Sequence, residues 1–289
     1  MFRPLRRRPT LADFELDVTI CIAAKSRKDE SIVAICDKML SYGDLVPATE
    51  GAAEKAFWVH RFWYAMIADD PTLATPIIRR VQKHLAEEPA DKLRTLEEMK
   101  IAFRAAFKEQ LQQEVEDRVL RVHRMNLTEF KQNGFQIFGT QEFGRLNNEI
   151  GSFNLPIQFV VFGIGAGRAG HIFEVNSPTG ALIAEQDVKG YSAIGSGQYM
   201  AMGSLVARPL SQLSVDHLIY RLCEAKFAAE TASGVGKETA MMVLYQNGSV
   251  KVVPPSLIDT IRSFWENERK AEVNHYAAEM IKKALETAP

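Results

Sequence analysis

Two short apolar runs, residues 18–24 and 32–36, stand either side of a charged stretch at 25–30. Runs of that length, rich in β-branched side chains and bounded by polar turn residues, read as buried strands. The connection is too short for a crossover, so the two strands are expected to be antiparallel neighbours. Thr19 heads the first run and Asp37 closes the second. Antiparallel pairing sets the head of one strand beside the tail of the next. A hydroxyl and a carboxylate therefore meet at one end of a small sheet, and Lys55, ahead of the next apolar segment, adds an amine there.

The rest of the chain alternates strands with pairs of helices. Residues 40–53 read as a loop, broken by Gly43, Pro47 and Gly51, and residues 57–68 as a hairpin of buried strands. Asp69-Asp70-Pro71 is an acidic cap followed by proline in a first helical turn. Helical spacing then covers 72–88 and 92–125. Residues 126–154 look less regular, with a strand expected at 135–139. A β-rich block follows at 158–164, 171–175, 181–186 and 191–194. Gly195-Ser196-Gly197 switches the chain into a helix reaching about residue 207, and Ser214 caps another over 215–231. Residues 239–245 and 249–253 form a hairpin across Gln246-Asn247-Gly248, where Asn-Gly favours a type I′ turn. The last helix is expected over 256–286. Hairpin-linked strands and paired helices predict an α+β fold, a four-layer αββα sandwich of two antiparallel sheets flanked by helix pairs. One domain, 17–289, follows a basic leader, 1–16.

Composition narrows the function classes. Of 289 residues, 46% are hydrophobic and 25% charged, as in an ordinary soluble globular protein. A net charge of -1 gives no general attraction to nucleic acid or to an anionic membrane, and neither is expected as a partner. The leader is basic but no apolar signal core follows, and no apolar run is long enough to span a bilayer, so a cytoplasmic protein is expected. The three cysteines, Cys21, Cys36 and Cys223, read as buried thiols. No metal is expected, because the six histidines form no HExxH or HxH pattern. No cofactor is expected either. Gly165-Ala-Gly167-Arg-Ala-Gly170 matches GxGxxG but leads into a strand, with no helix N-terminus to receive a pyrophosphate. Gly234-Val-Gly236-Lys237 lacks the spacer and hydroxyl of a phosphate loop.

Taken in order, several segments resemble the proteasome β-type family of N-terminal nucleophile (Ntn) hydrolases. They are T-I-C-I-A-A…I-V-A-I-C-D from Thr19 to Asp37, Glu54-Lys55-Ala-Phe, the strand end at 65–68, G-H-I-F-E-V-N-S-P-T-G, Tyr191-Ser-Ala-Ile-Gly195-Ser196-Gly197, and Ala-Glu230-Thr-Ala-Ser233-Gly234. A looser likeness runs to bacterial proteasome-like proteins that begin Met-Thr-x-Cys-Ile-Ala-Ala. The resemblance spans roughly residues 17–254 and implies the Ntn-hydrolase fold. It also implies a peptidase that frees Thr19 by self-processing after Val18. The threonine would then carry both nucleophilic hydroxyl and basic α-amine, whose ordinary pKa of about 8 suits proton transfer at neutral pH. By the same resemblance, Asp37 and Lys55 would pair beside Thr19, and Ser196, Glu230 and Ser233 would complete the network around the amine. Backbone N–H groups near Asp69 would face the oxyanion. A peptide or protein substrate and a homo-oligomer are implied too, and the resemblance raises an ATPase partner without identifying one.

The chain departs from the family pattern at three places. Val18 stands where glycine usually precedes the threonine, Ala68-Asp69-Asp70-Pro71 replaces a glycine-bearing turn, and Glu230 replaces aspartate. Two functions are therefore carried forward: a threonine-type amide hydrolase, and a catalytically inactive assembly or binding protein of the same fold with an unprocessed N-terminus.

Overall fold

The computed structural model describes residues 19–38, 55–69, 71–86, 92–177, 181–206 and 210–269. The fold is α+β, built on two five-stranded antiparallel sheets. The expected first hairpin is β1 (Cys21–Ser26) and β2 (Ser31–Asp37), in register from Cys21 opposite Cys36 to Ser26 opposite Ser31. The second hairpin is β3 (Ala56–His60) and β4 (Trp63–Asp69). The β-rich block supplies β5 (Ile157–Ile164), β6 (Gly170–Asn176), β7 (Leu182–Glu185) and β8 (Tyr191–Ile194). The late hairpin is β9 (Thr239–Tyr245) and β10 (Val250–Val252). One sheet runs β10-β9-β2-β1-β8 and the other β3-β4-β5-β6-β7.

The helices are α1 (Pro71–Leu85), α2 (Leu96–Val115), α3 (Leu127–Gly151), α4 (Gln198–Val206), α5 (Val215–Ala229) and α6 (Pro255–Arg269). Burial explains how they are arranged. Every residue of β2 is buried, so the strand is covered on both faces and reads as a continuous apolar run. Alternate residues then go to two different cores. Cys21, Ala23, Ala34 and Cys36 meet Met66, Ala68, Val160 and Phe162 of the other sheet. Ile20, Ile22, Val33 and Ile35 face outward, against Leu205 of α4, Leu218 and Leu222 of α5 and Ile258 of α6. The second sheet repeats the scheme, with Ala65, Ile67, Phe159 and Phe173 packed on Ile77 and Val81 of α1 and Phe103 and Phe107 of α2. Helices, sheet, sheet and helices follow in that order.

Several sequence expectations need correction. The strand expected at 135–139 lies inside α3. Asn126 and Glu129 form a reciprocal capping box that starts this helix, and its run is kinked at Gly139, whose φ of 68° is not helical. The pattern was hard to read because Phe135 and Ile137 are exposed, while Phe130 and Leu146 close on Val119 and Leu120 in a small core of their own. The stretch expected to be helical over 92–125 starts later, at a second capping box formed by Thr95 and Glu98. It then loosens into a π turn at Glu116–Leu120 and a 3-10 turn at Arg121–His123. In the late hairpin, Gly248 carries the positive φ of 84° and Asn247 does not, while Tyr245 accepts from Gly248 N–H at 2.8 Å. That is a three-residue loop ending in a left-handed glycine rather than a type I′ turn. Ser214 does occupy the position before α5, but Asp29 Oδ2 is what accepts the first N–H, from Val215 at 2.6 Å. The leader expected at 1–16 and the part of the expected terminal helix beyond residue 269 lie outside the described residues. Among the described residues no helix is long and apolar enough to cross a membrane.

Candidate active site

The register of the first sheet gathers four chain segments at one end. Thr19 stands two residues ahead of β1 and Asp37 ends β2, while residues 195–197 follow β8 and residues 236–238 lead into β9. Pairing of Cys21 with Ile194 and of Asp37 with Thr239 fixes these ends side by side. Lys55 arrives from the other sheet. Its carbonyl accepts from Ile67 N–H at 3.0 Å, which ties it to β4, while its side chain crosses to the first sheet. The site is thus a junction between sheets.

Asp37 is its centre. The residue is wholly buried, and its Oδ1 accepts from the Thr19 hydroxyl at 2.6 Å, the Lys55 ammonium at 2.8 Å and Ile20 N–H at 3.0 Å. Oδ2 accepts from Gly236 N–H at 3.3 Å. Lys55, 5% exposed, also donates to Thr19 Oγ1. A buried ion pair is stable only when its remaining hydrogen-bonding capacity is filled, and here both carboxylate oxygens are occupied. The hydroxyl is held between an ammonium donor and a carboxylate acceptor, which suits an oxygen that must lose its proton and bear developing charge.

The Thr19 backbone is equally fixed. Its N–H donates to Ser196 Oγ at 3.3 Å, and its carbonyl accepts from Gly197 N–H at 3.3 Å. Gly195 has a φ of +96°, and a Cβ there would lie 2.3 Å from the Thr19 carbonyl oxygen. Only glycine tolerates both the dihedral and the approach.

Of the residues expected at the site, Thr19, Asp37, Lys55 and Ser196 come together. Glu230 and Ser233 do not. Glu230 follows α5 and is held by Lys226 and by both terminal nitrogens of Arg262, at 2.6 and 2.7 Å. Ser233 is exposed in the turn after α5, and among the described residues neither side chain bonds to Thr19. The network expected around the amine is reduced, in this respect, to Ser196. Asp69 closes β4 opposite Ile157, while Asp70, the next residue of the expected oxyanion turn, lies outside the described residues. Gly236 was missed by sequence reasoning because it contributes only a backbone N–H. Its trace was a glycine pair just ahead of a strand.

Nearby thiols are structural. Burial, reinforced by the adjacent Cys36, pushes the Cys21 thiol well above its ordinary pKa, and its Sγ donates to the Ile67 carbonyl at 3.2 Å. It stays protonated and does not compete as a nucleophile. Among the described residues no group of three or more His, Cys, Asp or Glu could hold a metal ion. The GxGxxG segment forms the turn between β5 and β6, closed by Gly165 N–H to the Ala169 carbonyl at 2.9 Å, so no helix N-terminus stands behind it. No family model and no curated protein matches the sequence.

Proposed function

We propose that the chain is a proteasome-like threonine-type amide hydrolase, a peptidase whose Thr19 becomes the N-terminal residue by self-processing. The observation that carries this reading is the Thr19 hydroxyl held between the Asp37 carboxylate, at 2.6 Å, and the Lys55 ammonium in a buried setting. The two face-to-face sheets with helices outside are read as the Ntn-hydrolase fold. Cleavage of the 18–19 peptide bond frees the α-amine, which Ser196 Oγ is placed to orient, 3.3 Å from the Thr19 nitrogen. The amine takes the hydroxyl proton as Oγ1 attacks the substrate carbonyl, with Lys55 stabilising the charge that develops on oxygen. Collapse of the tetrahedral intermediate expels the leaving amine, which receives that proton, and leaves an ester on Thr19. Water activated by the same α-amine then hydrolyses the ester. Peptide or protein substrates, a cytoplasmic setting and a homo-oligomer belong to this reading. Exposed Phe135 and Ile137 on α3 support self-association. An ATPase partner stays an open part of it.

One observation favours the second reading, an inactive assembly or binding protein. Thr19 is 3% exposed, so the intact chain closes the hydroxyl off from substrate. Treatment with a β-lactone separates the two. The hydrolase reading predicts one acyl adduct, mapped to Thr19 by peptide mass spectrometry and lost in Thr19→Ala. A folded chain that takes no adduct at Thr19 leaves the binding role.

A further inference from the structure

Lys226 on α5 is wholly buried, and burial draws its pKa down despite the opposing carboxylate of Glu230. Such a lysine is costly to keep, and its three donors account for it. It donates to Glu230 and, at 2.8 Å each, to the carbonyls of Gly236 and Lys237. Arg262 on α6 grips Glu230 from the other side, donates to the Lys237 carbonyl at 3.1 Å, and stacks its guanidinium 4.0 Å from the centre of the Phe227 ring. Two cations from two helices thus close on one carboxylate and two consecutive loop carbonyls. The N–H of that same Gly236 reaches Asp37 Oδ2 at 3.3 Å.

We infer that Lys226, braced by Glu230 and Arg262, is a positioning residue for the Thr19 site: it aims Gly236 N–H at Asp37 and so sets the carboxylate that orients the hydroxyl. The inference rests on the proposed nucleophilic role of Thr19. It also gives Glu230 a role different from contact with the amine. α6 becomes a lever on the site, because a shift of Arg262 reaches Asp37 through the backbone of Lys237 and Gly236.

The test compares the full chain with Lys226→Met, Arg262→Gln and Arg262→Lys. Hydrogen exchange over residues 232–239 reports on the loop. Acylation of Thr19 by a β-lactone, resolved into its maximal rate and half-saturating concentration, reports on the site. Loss of a hydrogen bond to a charged group should speed exchange of the Gly236 amide about tenfold in Lys226→Met and slow maximal acylation about tenfold, with half-saturation unchanged. Arg262→Gln should show both effects to a smaller degree, and Arg262→Lys should restore most of the rate. Arg262 is partly exposed, so Arg262→Gln carries the test if Lys226→Met does not fold. A folded variant with wild-type exchange and a wild-type acylation rate overturns the inference. A wild-type chain that is never acylated overturns the hydrolase reading instead. The link is then judged by Asp37→Ala, which must free the Gly236 amide as Lys226→Met does; unchanged exchange contradicts it.

Discussion

Asp37 shows how much one buried carboxylate can organise. Four donors from three chain segments converge on it, and one of them, Lys55, neutralises its charge at 2.8 Å. Replacing Lys55 by methionine keeps the bulk but leaves a buried carboxylate without its cation. Urea unfolding should show a loss of about 3 kcal/mol, the range for breaking a buried pair. An unchanged midpoint would mean that Asp37 takes up a proton or finds another partner. These residues were legible in the sequence because each stands at the end of an apolar run, where strand pairing dictates its neighbours. Ser196 was legible for the same reason, lying between two glycines at a strand end. Gly236 and Ile20 were not, since a backbone N–H leaves no mark in residue type. The partners of Glu230 were not legible either, since its position along the chain says nothing of the two cations, Lys226 and Arg262, that hold it.

At the level of elements, the strands were easy to foresee and α3 was not. Its apolar residues are divided between a small satellite core and solvent, so neither a helical nor an alternating pattern survives. That core is separate from those of the sandwich, which gives it its own stability. Phe130→Ala removes its largest buried ring and should open residues 116–151 to hydrogen exchange while β1 and β2 stay protected. Simultaneous loss of protection in β1 and β2 would show that arm and sandwich unfold together. A different contact joins the two sheets. Asp187, between β7 and β8, receives Ile172 N–H of β6 at 2.9 Å, the Lys25 ammonium of β1 at 2.9 Å and a ring nitrogen of His171 at 2.5 Å. Burial pushes its carboxyl up, but these bonds prevail and bring it down to about 2 from 3.8. A depressed folded pKa stabilises the native state above the unfolded value, and that contribution is lost as pH falls. Thermal midpoints should therefore drop between about pH 4 and pH 2 in the wild type, and less steeply in Asp187→Asn. Equal slopes would remove Asp187 as the cause.

For the whole molecule, the order of strands and paired helices was enough to foresee two antiparallel sheets with helices on their outer faces. Topology then explains the site, since the segments that meet at Thr19 are strand ends brought together by register and by one lysine from the opposing sheet. Thr19 is buried in the intact chain, so the proposed hydrolase needs the chain before Thr19 to be removed. Intact mass of the purified protein tests this most directly. The expected result is a wild-type chain that has lost residues 1–18 and begins at Thr19, and a Thr19→Ala chain that keeps them. A folded wild-type protein that retains residues 1–18, or a Thr19→Ala variant cleaved at the same bond, would contradict it.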